Sequence, residues 1–416
     1  MEIPIALSGF LYFRTMSFSI VLYDRSSERN KLLPLVATRP VGNLRVGAYT
    51  LNDKWAKLFH TDVSYLTEDH LAGKYPYTPT QDLVLLVNAH ILPEVSLLEK
   101  LKTLQVGQRL IGAEGQWIAL LTTNQAAEDL EQCITDLNYD IVLYEQKTIV
   151  LQELEDIFVT NGAQISFDAA LFYMDRLNKL QSHDYVVEGE KLYISSSAAI
   201  AKGTYLNALQ GPIIIEDNAV IEPGCVIHGP CVIGNNVRVK SGTILYPNVT
   251  VGDHSTVCGE LNNTVIWGNS AKGHYGYLGC AVLGEGCNLG AGTTNSNLQN
   301  NWGEIKIYSY AAHDFRNTGL KKCGVFIGDH SMLAIQSKIT TGTVLGVGVQ
   351  VAISNFIPKF VPDFTWMSEH RTTSYILEKF MDMLERKSSM KGEMLTKEDK
   401  AILSAVYEKT EYLRNY

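Results

Sequence analysis

Aliphatic residues return at every sixth position through much of the second half of the chain. The first run has eight members, at Ile215, Ile221, Ile227, Ile233, Val239, Leu245, Val251 and Val257. The same spacing returns at Leu283 and Leu289, and again at Ile327, Leu333, Ile339, Leu345 and Val351. A period of six fits neither the 3.6-residue turn of an α-helix nor the two-residue alternation of a strand. It indicates an internal repeat.

The residues between these positions indicate how the repeat folds. Small residues stand four places after most aliphatic ones, at Ala219, Cys225, Cys231, Val237, Thr243, Val249 and Ser255, and later at Ser331, Ser337, Thr343 and Val349. Glycine directly follows several aliphatic residues, at Gly234, Gly252, Gly284, Gly290, Gly328 and Gly346. We predict a three-faced prism of short strands, with aliphatic side chains inside, small residues at the corners and glycine in the turns. The pattern resembles the hexapeptide-repeat family, which implies a left-handed parallel β-helix.

Other patterns flank the repeat. Apolar runs at Ser19–Tyr23, Leu83–Asn88, 117–122 and 141–144 alternate with helical or loop stretches at Leu51–Phe59 and 94–104. That alternation favours an open α/β sheet. After Phe356 the pattern turns helical, with one apolar stripe at Ile376, Leu377, Phe380, Met383 and Leu384 and a second, following Thr396, at Ile402, Leu403, Val406 and Tyr407. Both stripes are expected to pack against the prism or another subunit.

The sequence therefore predicts a mixed fold in four segments: an N-terminal extension (1–16), an α/β domain (17–185), the β-helix (190–355) and a helical tail (356–416). Hydrophobic residues make up 46% of the 416 residues and the net charge is -9, which argues against a disordered chain or a nucleic-acid scaffold. No apolar run reaches the roughly 18–20 residues that cross a bilayer. Of the 33 glycines, 23 fall between Gly203 and Gly348, within the repeat.

The N-terminus and the cysteines bear on the cellular compartment. Residues 3–13 are apolar, but no basic segment precedes them and no clean cleavage site follows, so we do not expect a signal peptide. Met16 begins a more conventional opening, which makes the first fifteen residues an upstream start or an extra arm. The seven cysteines show no metal-ligand spacing. We expect a reducing cytoplasm, in which Cys225 and Cys231 fill corners and form no disulfide.

The candidate chemistry lies where the repeat is interrupted, between Cys258 and Ala281. This stretch contains Lys272-Gly-His-Tyr-Gly-Tyr-Leu-Gly and is soon followed by Asn288-Leu-Gly-Ala-Gly-Thr-Thr-Asn-Ser-Asn297. Three other histidines, His228, His254 and His330, occupy turns of regular hexads, where solvated side chains are expected. His274 instead is preceded by a glycine that lets another molecule approach the backbone closely. We therefore single out His274.

The stretch 268–297 resembles the acetyltransferase half of the bacterial bifunctional uridyltransferase and glucosamine-1-phosphate acetyltransferase that makes UDP-N-acetylglucosamine. The resemblance implies that His274 is the general base. It also implies Tyr277 and Asn288 as sugar-phosphate contacts, and Ala291 and Asn297 along the acetyl-CoA site, while Lys272 and Asn262 complete the predicted binding set. An imidazole with a pKa near ~6.5 can take the proton of a sugar amine as the amine attacks a thioester. A backbone N–H within 290–292 is the candidate oxyanion donor.

The chain departs from that family at the sugar phosphate. A family lysine is replaced by Asn262, a family arginine has only Lys240 as a candidate counterpart, and a tyrosine is replaced by Leu298. Extra residues around 307–318 lengthen the next loop. The acyl-transfer residues thus match better than the acceptor contacts, and the acceptor stays open.

The N-terminal half more distantly resembles sugar nucleotidyltransferases, which implies nucleotide binding and Mg²⁺. The matching segment runs from Thr38-Arg39-Pro to Leu-Arg45-Val-Gly. Glycine is missing before Thr38, so Lys31, Arg39 and Arg45 are expected to supply charge where the family uses a backbone cradle. The alternative makes Arg39 and Arg45 surface residues around a helix start. Asn88 stands where the family has its magnesium-binding aspartate, and Asn161 is predicted to mark a second loop near the substrate.

The whole arrangement resembles the alternative GlmU-like family of Bacteroidetes-type bacteria, which implies a cytoplasmic homotrimer supplying UDP-N-acetylglucosamine. Three functions follow. The first is a bifunctional enzyme that uses acetyl-CoA, a sugar phosphate and a nucleoside triphosphate. The second is an acyltransferase whose N-terminal domain binds a nucleotide sugar without turnover, and the third is a non-catalytic regulatory or scaffold subunit. None of them involves nucleic acid or a membrane.

Overall fold

A computed structural model describes residues 18–25, 27–125, 127–174 and 185–416. The predicted extension over residues 1–16 lies outside the described residues, and so does the stretch 175–184 in front of the predicted domain boundary.

The N-terminal part of the chain forms an α/β domain, which contains a mixed sheet and a separate hairpin. Its strands are β1 (Ser19–Tyr23), β2 (Arg45–Val46), β3 (Tyr49–Thr50), β4 (Val63–Leu66), β5 (Leu83–Asn88), β6 (Gln108–Gly112), β7 (Trp117–Thr123) and β8 (Asp140–Tyr144). Its helices are α1 (Leu51–Phe59), α2 (Asp69–Ala72), α3 (Val95–Leu101), α4 (Ala127–Thr135) and α5 (Asp156–Phe172). The predicted α/β character is confirmed.

The main sheet has the order β4-β1-β5-β7-β6-β8, with β2 and β3 as a separate hairpin. Strand β1 pairs in parallel with both β4 and β5, whereas β7 runs antiparallel to β5 and β6. Ile20 and Leu22 face one apolar cluster and Val21 faces another, so β1 is buried on both sides. This explains its continuous apolar sequence.

The hexad region forms a parallel β-solenoid with three faces. The first face contains β9 (Val186–Glu188), β12 (Tyr205–Asn207), β15 (Val226–His228), β18 (Ile244–Leu245), β25 (Thr294–Asn295), β30 (Lys338–Ile339) and β33 (Phe356–Ile357). The second contains β10 (Leu192–Ile194), β13 (Ile213–Ile215), β16 (Cys231–Ile233), β19 (Val249–Val251), β28 (Val325–Ile327), β31 (Thr343–Leu345) and β34 (Phe360–Val361). The third contains β11 (Ala199–Ile200), β14 (Val220–Ile221), β17 (Arg238–Val239), β20 (Thr256–Val257), β22 (Ala271–Lys272), β24 (Asn288–Leu289), β29 (Met332–Leu333), β32 (Gln350–Ala352), β35 (Thr365–Ser368) and β36 (Arg371–Ser374). Two long strands, β21 (Glu260–Gly268) and β23 (Tyr277–Glu285), run from the first face onto the second.

The register of this solenoid confirms the hexad prediction. Ile213 pairs with Cys231 and Cys231 pairs with Val249, so a regular coil takes 18 residues, or three hexads. The predicted aliphatic rows and the corner residues Cys225 and Cys231 lie in one buried cluster. All seven cysteines are free and buried, so Cys225 and Cys231 form no disulfide, as predicted.

Three irregular coils follow the regular ones, and they take 15, 17 and 44 residues. Thr256 pairs with Ala271, which makes that coil three residues shorter than the regular ones. Asn288 then pairs with Met332, because the long loop predicted around 307–318 is inserted between them. This insertion contains the hairpin β26 (Lys306–Ser309) and β27 (Asp314–Asn317), and its Arg316 forms ion pairs with Glu153 and Glu155 of the α/β domain.

The second face of the solenoid is the one covered by the α/β domain. Outward-facing Ile214 and Val232 pack with Ile165 of α5, and Val265 and Val282 join the core beneath the sheet. The hydroxyl of Thr250 donates to the Gly47 carbonyl oxygen at 3.0 Å and to Asn161 at 3.1 Å.

The C-terminal helices start later than predicted. The chain does not turn helical after Phe356, because β33 to β35 continue the solenoid and β36 folds back antiparallel on β35 as far as Ser374. Helices α6 (Leu377–Lys391) and α7 (Lys397–Lys409) follow, and their predicted stripes share an apolar cluster with Val347 and Phe364 of the solenoid, except for Ile376, which precedes α6 and is exposed. Thr396 and Asp399 form the expected capping box. None of the helices in the described ranges has the length and apolar character that a bilayer crossing requires.

Candidate functional site

His274 lies on a tight loop, residues 273–276, at the edge where the third face turns into the first. Gly276 in this loop has a φ of +130°, and a Cβ atom there would lie 2.0 Å from the Thr293 carbonyl oxygen, so only glycine fits. The Gly292 N–H donates to the Tyr275 carbonyl oxygen at 3.1 Å. The loop is therefore stacked directly on the next corner of the solenoid, the glycine-rich segment singled out in the sequence.

The His274 side chain is exposed on this loop. Its imidazole has no hydrogen-bond partner in the part of the chain that the structure describes. Both ring nitrogens are therefore open to a substrate. The arrangement suits a general base, which needs a ring nitrogen within reach of the proton it accepts.

Tyr277, Asn297 and Asn262 meet on the first face, beside the His274 loop. The Asn297 amide donates to the Tyr277 hydroxyl at 3.0 Å, and the Asn262 side chain lies beside that hydroxyl, where it opposes the rise in the pKa of Tyr277. Burial raises the pKa of Tyr277, so its hydroxyl stays protonated and able to donate at neutral pH. The structure thus brings together three of the predicted binding residues, which are far apart in the sequence.

Asn288 and Ala291 approach the same edge from the third face. Asn288 is exposed on β24, next to β22, while Ala291 lies in the corner stacked on the His274 loop. The Gly290 and Gly292 N–H groups already donate to the Leu333 and Tyr275 carbonyl oxygens. Of the three amides predicted as oxyanion donors, only that of Ala291 has no partner in the described chain.

Lys272 does not lie on the site surface. Its side chain is only 1% exposed and points into the solenoid, where Nζ lies 2.6 Å from the His274 carbonyl oxygen and 3.3 Å from that of Cys258. Burial lowers the pKa of Lys272 to about 8. A lysine in this position contacts the backbone of the loop from inside.

His330 is also not solvated as predicted. The residue is half-buried and its Nδ1 atom has no hydrogen-bond partner among the described residues. Burial lowers the pKa of His330 to about 4, so the ring is neutral at physiological pH. The cause is the α/β domain and helix α6, which cover this turn, whereas the turn at His254 is exposed.

A cavity of about 350 Å³ opens in the α/β domain, at the carboxyl ends of β1 and β5. Tyr23 and Asn88 end these two strands, and the remaining lining is Glu28, His90, Ile91, Glu114, Gln116, Trp117, Val150 and Gln152. We call it the sheet-edge pocket. Ligands of open α/β sheets bind at this edge, outside the carboxyl ends of parallel strands. Of the predicted nucleotide-binding residues, Asn88 lines this pocket.

Asn88 is held at both ends of its amide. Its Oδ1 accepts from the His90 N–H at 3.1 Å and its Nδ2 donates to the Trp117 carbonyl oxygen at 3.2 Å. Two buried atoms of the pocket lining, His90 Nε2 and Gln116 Oε1, have no partner within the described ranges. Both can accept a hydrogen bond from a ligand, since His90 Nδ1 contacts the Leu151 carbonyl oxygen and is therefore the protonated nitrogen.

Lys31 lies near the rim of this pocket and pairs with Glu28 at 2.6 Å. The other predicted cations point elsewhere. Arg39 forms ion pairs with Asp329 at 2.6 Å and Glu285 at 3.0 Å on the solenoid, and the Thr38 hydroxyl donates to Asp329. The alternative of surface arginines is wrong for Arg39, which is 8% exposed.

Arg45 and Asn161 also lie between the two domains. Arg45 donates to the Ala48 carbonyl oxygen at 2.6 Å and lies 3.8 Å from Asp253. Asn161 lies within helix α5 and not in the predicted loop; it is fully buried, accepts from the Gly47 N–H at 2.8 Å and donates to the Asn248 carbonyl oxygen at 3.0 Å. The predicted nucleotide set is thus divided, with four of its residues at the domain contact.

Sequence reasoning missed Glu28, His90, Glu114 and Gln116 in the sheet-edge pocket. Glu28 and His90 come soon after β1 and β5, and that position alone was a signal for them. Glu114 and Gln116 come from the turn between antiparallel β6 and β7, which no motif marks. In the described ranges no three histidine, cysteine or carboxylate side chains are grouped as metal ligands. The oxygen-rich pocket nevertheless suits Mg²⁺, which usually takes one or two carboxylates and substrate phosphates.

Two family models match this chain. Residues 20–177 match a family described as sugar nucleotidyl transferase, and residues 212–246 match bacterial transferase hexapeptide repeats. The first match covers the α/β sheet and the second covers regular coils of the solenoid.

Relatives with assigned activities match parts of the chain. It is 34% identical over 145 residues to a bifunctional sugar-1-phosphate nucleotidylyltransferase/acetyltransferase of Sulfurisphaera tokodaii, over 34% of this chain and 36% of that protein. It is 32% identical over 161 residues to a bifunctional protein GlmU of Methanococcus aeolicus, over 36% of this chain and 38% of that protein. The chain therefore spans less than half the length of these relatives. A solved UDP-N-acetylglucosamine acyltransferase of Francisella novicida is 17% identical, over 55% of this chain and 88% of its own, with a TM-score of 0.22.

Proposed function

We propose that this chain, a member of the GlmU-like family of hexapeptide-repeat acyltransferases, is a bifunctional enzyme of sugar-nucleotide synthesis. At the solenoid edge it transfers the acetyl group of acetyl-CoA to the amine of glucosamine-1-phosphate. At the sheet-edge pocket it transfers uridylyl from UTP to the sugar-1-phosphate, which gives UDP-N-acetylglucosamine. The sugar, the acyl group and the nucleotide base are part of this proposal.

The observation that carries the proposal is the convergence of the motif residues on one solenoid edge. His274 is exposed at the edge, Asn297 is hydrogen-bonded to Tyr277 with Asn262 beside them on one side, and Asn288 and Ala291 lie on the other. A purely structural corner has no need of an unpartnered imidazole together with a half-buried tyrosine and three amides. This arrangement argues against the scaffold alternative.

The acetyl-transfer step uses His274 as the base. As the acceptor nitrogen bonds to the thioester carbonyl carbon, the imidazole takes the proton that the nitrogen loses. The Ala291 N–H donates to the oxyanion of the tetrahedral intermediate, which then expels the CoA thiolate. Tyr277, with its raised pKa, and Asn288 hold the hydroxyl and phosphate groups of the acceptor, and Asn297 lies along the acetyl-CoA site.

At the sheet-edge pocket the residues bind and orient the nucleotide. Lys31 approaches the phosphates from the rim, while His90 Nε2 and Gln116 Oε1 accept hydrogen bonds from base or sugar. Glu28 and Glu114 would hold Mg²⁺ together with the substrate phosphates, and the ion supplies charge neutralisation on the phosphates when bound.

We also propose a cytoplasmic homotrimer. The first and third faces meet at the His274 edge and are not covered by the α/β domain, so a neighbouring solenoid can close the site. Free, buried cysteines fit a reducing compartment. A monodisperse monomer with full acetyltransferase activity would contradict a site between subunits.

The test is a substrate panel on the purified full chain. With acetyl-CoA and glucosamine-1-phosphate we expect CoA release, reduced about 10²–10⁴-fold by His274→Ala. With UTP, Mg²⁺ and N-acetylglucosamine-1-phosphate we expect pyrophosphate. His254→Ala, an exposed histidine at a regular turn, is the matched control and should keep full activity. Unchanged CoA release in His274→Ala would show that the base is misassigned.

In a second candidate function, the solenoid still transfers acetyl groups, but the N-terminal domain binds a nucleotide sugar without converting it. The observation in its favour is the position of Arg39 and Arg45, which contact the solenoid and leave the pocket lining without a cation. Saturable binding of UDP-N-acetylglucosamine without pyrophosphate release from any nucleoside triphosphate would select it.

A further inference from the structure

One lysine interrupts an otherwise aliphatic row inside the solenoid. Along the third face, Val239 pairs with Val257, Val257 pairs with Lys272, and Leu289 on the next coil pairs with Leu333. Lys272 occupies the inward position and is 1% exposed. An aliphatic side chain at this position would extend the buried row without the cost of desolvating an ammonium group. Stability alone therefore does not explain the lysine.

The contacts of Lys272 are all with the backbone beneath the His274 loop. Its Nζ donates to the His274 carbonyl oxygen at 2.6 Å and to the Cys258 carbonyl oxygen at 3.3 Å. The methylene groups of the side chain occupy the apolar interior and the ammonium group reaches the corner. Because the side chain is enclosed, it does not contact an acceptor or CoA, and the binding role implied by the resemblance does not fit it.

Two other coils also hold this loop, one two coils before it and one directly after it. Lys240 Nζ donates to the Gly273 carbonyl oxygen at 3.0 Å, and the Gly292 N–H donates to that of Tyr275 at 3.1 Å. Three successive carbonyl groups, at 273, 274 and 275, are therefore fixed by donors from three coils. The middle one, that of His274, is fixed by Lys272.

The His274 imidazole needs such support because no side chain orients it. In many enzymes the base is aligned by a carboxylate or carbonyl on its second ring nitrogen. His274 has no partner of that kind in the described chain, so its direction depends on the backbone that bears it. That backbone is fixed at the His274 carbonyl oxygen.

We propose that Lys272 is the positioning residue of this site: its buried ammonium group fixes the backbone of His274 so that the imidazole faces the acceptor amine. This inference rests on the proposed acetyl transfer. It assigns Lys272 no contact with substrate. The lysine acts through the loop, and its effect is on the chemical step.

The test uses Lys272→Met, because methionine has similar length and suits an apolar interior. We expect an unfolding temperature equal to or above that of the wild type and a kcat for CoA release lowered roughly 10–100-fold, since a base misplaced by about 1 Å can cost 10²-fold. Both KM values should stay within about threefold, because substrate contacts are unchanged. Lys272→Arg, which keeps the donors, should recover part of the kcat.

The matched control is Lys338→Met. Lys338 donates to the Ser354 carbonyl oxygen at 2.9 Å elsewhere on the solenoid, so kcat and KM should not change. If Lys272→Met shows a lower unfolding temperature and a raised KM together with its lower kcat, the lysine has a structural role and the positioning role is wrong. Unchanged kcat in Lys272→Met would overturn it as well.

Amide hydrogen exchange separates this inference from the proposed function. Lys272→Met should speed exchange of the Gly292 amide, which is protected by its hydrogen bond to the Tyr275 carbonyl oxygen of the loop, whereas His274→Ala should not. If His274→Ala keeps full activity, the proposed base is wrong while faster Gly292 exchange in Lys272→Met still supports the backbone contact. If the exchange rates of Lys272→Met equal those of the wild type, the positioning role is wrong.

Discussion

Arg39 of the α/β domain and Asp329 of the solenoid form a buried ion pair of 2.6 Å. The Arg39 guanidinium also lies 4.8 Å from the centre of the Trp267 ring and pairs with Glu285 at 3.0 Å. The Thr38 hydroxyl donates to the same aspartate. The Thr38-Arg39 motif, which the resemblance assigned to a nucleotide, therefore joins the two domains.

Arg39→Met should uncouple the domains. The change leaves Asp329, whose side chain is 3% exposed, buried without its cation, which typically costs about 3–5 kcal/mol. We expect urea unfolding to lose its single transition, with the α/β domain unfolding first. Lys31→Met is the control, because the partly exposed Lys31–Glu28 pair contributes less than about 1 kcal/mol. A single transition with an unchanged midpoint would contradict the importance of this pair.

Glu285 should make the domain contact sensitive to acid. Burial opposes ionisation, but Arg39 and the Asn269 amide lower the pKa of Glu285 to about 2 from 4.5. A carboxyl group with a lowered pKa stabilises the folded state above its unfolded pKa, and this stabilisation is lost as pH falls from about 4.5 to 2.

The measurement is the unfolding midpoint of wild type and Glu285→Gln between pH 7 and pH 3. The two midpoints should differ most at pH 7 and converge toward the acid end. Parallel curves would mean that Glu285 does not titrate with folding.

The fold could be predicted from the sequence because one coil of the solenoid is a local repeat. Each aliphatic residue has the same environment as the residue one coil away, so Ile215 and Ile233 report the same inward position. The domain contact has no such periodicity. Nothing in the sequence around Asn161 or Arg39 specifies which face of the solenoid these residues contact. In a sequence, a polar residue that joins two domains looks the same as a polar residue that binds a ligand.

The interrupted coil hid Lys272 for a different reason. Hexad counting from Val257 leads to 263, 269 and 275, whereas the shortened coil pairs Val257 with Lys272. The sequence placed His274, Tyr277 and Asn297 together through their motif, but it could not reveal that the lysine two residues before the histidine points inward. A break in the hexad register marks a candidate site. Within the break, however, the hexad position no longer shows whether a side chain points inward or outward.

Stability of the wild type should rise between pH 8 and 10.5 because of Lys272. Burial lowers its pKa to about 8 from 10.5, and the Cys258 thiol partly offsets this. In that range the unfolded chain binds the proton and the folded chain does not, so the free energy of unfolding increases with pH. The Lys240 ammonium group, which donates to the Gly273 carbonyl oxygen, is a second charged group at this loop.

Lys272→Met should lack this alkaline rise. At pH 7 it should gain up to about 3 kcal/mol, less the loss from two carbonyl groups left without a donor. Chemical denaturation at pH 7, 8.5 and 10 measures the effect. A wild type whose stability falls steadily across this range, with Lys272→Met following the same curve, would exclude a buried ammonium group.

Asn88→Asp should lower stability without creating a magnesium site. The family aspartate would restore a metal-binding carboxylate, but in this chain both ends of the Asn88 amide are used, and Nδ2 donates to the Trp117 carbonyl oxygen at 3.2 Å. A carboxylate oxygen in its place faces another acceptor, which costs about 1–3 kcal/mol. The loss should shrink toward pH 4, where a protonated aspartate can donate to Trp117 again. Denaturation with and without 10-fold excess Mg²⁺ tests both points, and stabilisation of Asn88→Asp by Mg²⁺ alone would show that the pocket tolerates the family arrangement.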